Sequence, residues 1–156
     1  MTLKYYDSCI FGNSLNPAHP DHEGCCLVTS VNNIEWSVGF CEELVCAELP
    51  SCVEFLASFF SYCTSSGIKV VTSELSRGKE VAKKYRAQKK ALEVLGFRGN
   101  DWNHLMIAVG CDAEEILTTD EDFFDPANKA VSAKKPKKRV QSYIEKEFDI
   151  LVVRPA

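Results

Sequence analysis

The chain has 156 residues, a net charge of −4, 46% hydrophobic and 26% charged residues, values that describe one soluble globular domain with a real core and exclude a largely disordered chain. No run approaches the ~18 to 20 apolar residues of a membrane span and residues 1–7 lack a signal-peptide apolar core, so no membrane association and a cytoplasmic location are expected. Eight cysteines without any C-x-x-C pair read as reduced packing thiols rather than a zinc or disulfide framework.

Residues 3–7 read as a first strand, with Asn13, Asn16 and Pro17 marking the loop beyond it. A helix is expected from His19-Pro20-Asp21 to Asn32-Asn33, with Pro and acids suited to its first turn. His19-x-x-His22 beside two prolines reads as an exposed loop rather than a metal pair. Ile34 to Phe40 is a second strand, and a short helix carries Glu42, Glu43 and Glu48. Ser51 and Glu54 form a capping box ahead of Cys52, Phe55, Leu56, Phe59, Phe60 and Cys63 at helical spacing, and Gly67 closes that helix.

Ile68 to Thr72 is a strand or an extended connection. One long helix is expected from about Gly78 to Leu95, with Val81, Tyr85, Leu92 and Leu95 inward. Asp101 opens another, Glu115 to Thr118 is a strand, and Asp122-Phe123-Phe124 returns the chain over its end. Residues 126–139 are a Lys/Ala/Pro-rich surface insertion, and Phe148 to Val153 is a last strand. This alternation argues for a single α/β domain on a largely parallel sheet.

Charge is unevenly spread. Residues 77–90 hold seven cations against Glu80, and residues 134–139 hold five cations and no acid. Lys83, Lys84, Arg86, Lys89 and Lys90 form a candidate RNA-binding face, or a solvated one. Asp7, Glu48, Asp101 and Asp120 stand at strand ends or on helices facing them, and the strand ends of a parallel sheet converge on one edge. Crowded carboxylates resist ionisation unless a cation joins them, and hard oxygen donors suit Mg²⁺ or Mn²⁺. Metal-assisted phosphodiester chemistry follows as the first functional expectation, with Glu48 a ligand or a water-positioning base. Taken singly, Asp7 and Asp120 also suit turn caps and Asp101 a helix N-cap. Ser8 and Thr119 flank the acids and are placed to orient a ligating carboxylate or its water. Trp102 and His104 read as core residues before they read as base or phosphate contacts.

Tyr6-Asp7-Ser8, Val45-Cys46-Ala47-Glu48-Leu49, Asn100-Asp101-Trp102-Asn103-His104 and Ile116-Leu117-Thr118-Thr119-Asp120-Glu121-Asp122-Phe123, in this order, resemble the PIN-domain nucleases. The resemblance spans about the whole chain. It implies a three-layer α/β/α sandwich with a mainly parallel, about five-stranded sheet. It also implies an Mg²⁺ or Mn²⁺ site built from Asp7, Glu48, Asp101 and Asp120 with Asp122 supporting, and endoribonuclease activity on single-stranded RNA. Many such proteins are toxins of toxin-antitoxin pairs, so an antitoxin protein and a second copy of the chain are expected partners. The insertion and the abundant cysteines depart from the pattern. The alternative keeps the fold without catalysis, as an RNA-binding or partner-binding module. A flavodoxin-like or response-regulator-like small-ligand protein ranks last because no G-x-G-x-x-G phosphate loop is present.

Overall fold

A computed structural model describes residues 4–30, 40 and 41, 57, 61, 64 and 65, 70 and 71, 74–125 and 139–155. It is mixed α/β with a parallel sheet. The order is β1 (Lys4–Tyr6), α1 (Ser8–Ser14), α2 (His22–Ser30), β2 (Phe40–Cys41), β3 (Val70–Val71), α3 (Glu74–Ala82) and α4 (Arg86–Val94). Then follow α5 (Asn100–Gly110), β4 (Glu115–Leu117), a 3-10 turn (Glu121–Phe123), α6 (Val140–Phe148) and β5 (Leu151–Val153).

The strands lie in the order β3-β2-β1-β4-β5, every pairing parallel. Three-residue registers join β1, β4 and β5, from the centre of the sheet to one edge, with Tyr5 opposite Ile116 and Ile116 opposite Val152. Tyr5 and Tyr6 are both buried, as are Ile116 and Leu117, so β1 and β4 are covered on both faces. That is why these strands read as apolar runs rather than alternating ones. β5 buries Val152 and exposes Leu151. From β1 the chain builds outward to β2 and β3, then crosses to the other flank for β4 and β5. The order reverses between β1 and β4, and a ligand crevice forms outside the carboxyl ends of strands at such a switch point.

One core cluster joins α4, α5 and α6 to β1, β4 and β5 through Tyr5, Leu92, Leu105, Ile116, Ile144 and Val152. α5 is buried nearly all round, and α3 lies against it with Gly78 facing Ile107. A β-carbon on Gly78 would stand 3.0 Å from Ile107 Cγ1, so any larger residue there has to displace the Ile107 side chain.

Several expectations are corrected. The long helix from Gly78 to Leu95 is two helices, broken where Lys83, Lys84 and Tyr85 close i→i−3 hydrogen bonds onto Glu80, Val81 and Ala82. Tyr85 leaves helical geometry there and its ring packs 4.9 Å from that of Phe148, a tertiary contact that overrides helix propensity. α1 begins immediately after Asp7 and takes in Asn13, while Asn16 and Pro17 lie in the loop that follows it. The last strand is shorter than expected because Phe148 ends α6, a helix closed by Asp149 in the left-handed conformation (φ 54°). α2 ends at Ser30. Positions 57, 61, 64 and 65 are helical, within the stretch read as the capped helix. Most of that helix, most of the Ile34–Phe40 strand, the Glu42–Glu48 segment and the insertion at 126–138 lie outside the described residues. Among those described, no helix is long and apolar enough to cross a membrane.

Candidate metal centre

The carboxyl ends of β1 and β4 open the site. Asp7 follows β1 directly, and its N–H donates to Leu117 O at 2.9 Å, continuing the ladder one step past the strand. Asp101 is the second residue of α5, whose N-cap is Gly99, so it does not cap that helix. Asp120 does cap the 3-10 turn, its Oδ1 accepting the Asp122 N–H at 2.9 Å. One oxygen each of Asp101, Asp120 and Asp122 lie within 4.8 Å of one another. Asp122 is exposed, the other two half-buried.

Asp7 stands beside this trio with its carboxylate committed elsewhere. It is 3% exposed. Its Oδ1 lies 3.1 Å from His104 Nε2, and its Oδ2 accepts the Thr118 hydroxyl at 2.6 Å and the Cys9 thiol at 3.5 Å. It therefore makes no side-chain cap on α1.

The electrostatics are those of crowded acids. Burial, then the charges of Asp120, Asp7 and Asp122, push Asp101 up to about 7, with His104 offsetting part of the rise. Burial is also the largest cause raising Asp120; Asp122 and Asp7 add to it, while hydrogen bonds from Asp122 and Asp101 oppose it. Cys9 is raised to about 12, by burial first and by the Asp7 charge second, so it rests as a thiol donating toward Asp7 rather than as a nucleophile. Three carboxylates this close, with oxygen donors only, fit a hard divalent cation.

Around the acids, Thr119 accepts Asn13 Nδ2 at 2.7 Å and gives its N–H to Cys9 Sγ at 3.3 Å. Among the described residues, the buried Ser8 Oγ has no hydrogen-bond partner. Arg154 binds Glu121 at 2.5 Å and Thr119 O at 3.3 Å, reaches Asp21 at 3.5 Å and covers the Phe124 ring at 4.9 Å. It braces the acid-bearing turn against α2. Glu48 lies outside the described residues.

His104 and Trp102 are both buried. His104 bridges Asp7 to Tyr5 rather than facing solvent, and Trp102 packs edge-on to Phe148 with ring centroids 6.3 Å apart. His19 Nδ1 accepts the Asp21 N–H at 3.1 Å, and His22 Nδ1 pairs with Asn13 O at 2.8 Å. Cys9, Cys25, Cys26 and Cys111 are in no disulfide.

The basic residues stand on a flank of the sheet. Tyr85 shares a surface pocket with Asp112, Ala113, Asp149 and Ile150, which precede β4 and β5, so Lys83, Lys84 and Arg86 lie near the amino edge of the sheet. Leu95 and Gly96, just past α4, share another pocket with Asp122 at the carboxyl edge. α4 climbs from one edge to the other and carries Lys89 and Lys90 between them. Lys83 pairs with Glu80 at 2.9 Å; among the described residues Lys84, Arg86, Lys89 and Lys90 form no ion pair.

Sequence reading missed the parts that hold the acids: Tyr5, Thr118, Cys9 and Arg154. Thr118 alone carried a local signal, as the hydroxyl one place before Thr119. Comparison with protein-family models, with curated proteins and with solved structures finds no match.

Proposed function

We propose that the chain is a PIN-type, Mg²⁺- or Mn²⁺-dependent endoribonuclease acting on single-stranded RNA. The observation carrying this reading is the gathering of Asp101, Asp120 and Asp122 within 4.8 Å outside a parallel-sheet switch point, with Asp7 beside them. In this reading the helices flank the sheet as a three-layer sandwich. Asp101, Asp120 and Asp122 hold the ion, and Asp7 and Glu48 complete its surroundings. The ion, when bound, supplies positive charge at the phosphoryl group and favours deprotonation of the attacking water.

The chain's own residues supply position. Phe97 meets Phe123 edge-on at 4.9 Å, pinning the link between α4 and α5 against the acid-bearing turn. Arg98, next to it and exposed, stands between that contact and the helix bearing Asp101. RNA phosphates follow the cations of α4 toward Arg98 and so reach the acids. Such contacts orient the strand without reading its bases. Cytoplasmic RNA, an antitoxin protein and a homodimer belong to the same proposal, as does a role as a toxin.

The test is single-stranded RNA incubated with Mn²⁺ and either the wild type or Asp101→Asn. Cleavage by the wild type alone supports the enzyme. Equal cleavage by both refutes the site. Binding without cleavage by the wild type transfers the proposal to a catalytically inactive RNA-binding module.

A further inference from the structure

A directional chain of hydrogen bonds runs from the core to the acid-bearing turn. Asp7, as a carboxylate, only accepts, so the proton shared with His104 at 3.1 Å sits on Nε2. On the far side of the ring, Nδ1 and the Tyr5 hydroxyl share a hydrogen bond of 2.7 Å. On the other side of Asp7, Thr118 Oγ1 accepts the Asp120 N–H at 3.1 Å, so its own proton points to Asp7 Oδ2 at 2.6 Å, a charge-assisted length. Asp120 Oδ1 in turn receives the Asp122 N–H. Tyr5, His104 and Thr118 are all buried, at 0%, 1% and 0% exposed.

Three donors on Asp7 leave about one of its four lone-pair sites for anything else. Its other function is orientation. We infer that His104 is a positioning residue for the acid site: through Asp7 and Thr118 it fixes the backbone that presents Asp120 and Asp122. The functional part of this inference rests on the metal-site reading; the positional part does not. A buried network of this kind specifies one arrangement only while every member is satisfied. Without the imidazole, Asp7 Oδ1 loses its partner, and Thr118 no longer holds the Asp120 N–H against a fixed acceptor.

The test compares His104→Gln, whose amide N–H reaches toward Asp7 in place of Nε2, with His104→Met, which fills space and donates nothing; Tyr5→Phe is a milder companion. Amide hydrogen exchange of the metal-free full chain is followed at Asp120 and, as reference, at Ile116 in β4. His104→Met is expected to speed exchange at Asp120 about tenfold more than at Ile116, and to raise the Mn²⁺ concentration needed for half-saturation about tenfold, the low end for groups that orient metal ligands. Free Mn²⁺ is counted by electron paramagnetic resonance. His104→Gln is expected to stay within about threefold of wild type in both readouts, the recovery that separates positioning from packing. If His104→Met fails to fold, Tyr5→Phe must show the same selective change, at reduced size. Equal acceleration at Asp120 and Ile116, or a glutamine variant as impaired as methionine, overturns the inference. Wild type that binds no Mn²⁺ refutes the metal site instead, while the exchange comparison still decides the role of His104.

Discussion

Removing the charge of Asp101 should stabilise the metal-free protein, the reverse of what removing a half-buried acid usually does. The folded-state group titrates at about 7 against 3.8 as its ordinary value. Between those values the folded chain holds a proton that the unfolded chain releases, so stability falls as pH rises through the window and levels off above about 7. Three pKa units at about 1.36 kcal/mol each give about 4 kcal/mol at face value. Asp101 is only half-buried, and solvent screening reduces this to about 1 to 2 kcal/mol. Asp101→Asn keeps the volume and carries no charge. Its advantage over wild type is expected to be near zero below pH 4, about a third of its full size at pH 5, and complete by pH 8. For a chain this long that corresponds to a melting temperature about 2 to 8 °C higher in EDTA at pH 8. Saturating Mn²⁺ should reverse the order, because only the wild type gains the binding energy. Thermal melts at pH 5 and pH 8, with EDTA and with Mn²⁺, read all four corners. An asparagine variant no more stable than wild type at pH 8 in EDTA would refute the account of crowded, half-buried acids.

Mn²⁺ at about a hundred times its dissociation constant should stabilise wild type by about 2.7 kcal/mol and leave Asp101→Asn/Asp120→Asn unchanged, as chemical denaturation with and without the ion will show. Gly78→Ala should destabilise by about 1 kcal/mol or more, although alanine favours helices, because the new methyl meets buried Ile107 at 3.0 Å; a rise in the denaturation midpoint would contradict the close packing of α3 on α5. Phe97→Ala should cost about 3 to 5 kcal/mol and, beyond the global effect, loosen the turn bearing Asp120 and Asp122, visible as selective loss of amide protection at Phe124. Asp149→Gly should raise stability by about 0.5 to 1 kcal/mol in thermal melts, since the left-handed end of α6 no longer strains a side chain.

Whatever depends on near neighbours along the chain was legible in the residues alone. Apolar runs bounded by turn residues placed β1 and β4, and an acid following each strand marked where a parallel sheet gathers its ends. The helix opening at Asn100-Asp101 and the turn at Asp122-Phe123 were legible for the same reason, since strand ends and helix starts are written in adjacent residues. What lay beyond reach depends on partners far apart in sequence. Lys83 to Tyr85 breaks a helix that its own residues favour, because Tyr85 packs on Phe148. α1 starts at once after Asp7 because no loop residue intervenes between the ladder bond to Leu117 and the helix. The division of labour among the acids was equally hidden. Asp7 and Asp101 look alike as letters, yet Asp7 is enclosed by Tyr5-bound His104 and by Thr118, while Asp101 faces Asp120 and Asp122. Hydrogen-bond capacity and charge repulsion act over a few ångströms in space, and only the folded chain says which groups stand that close.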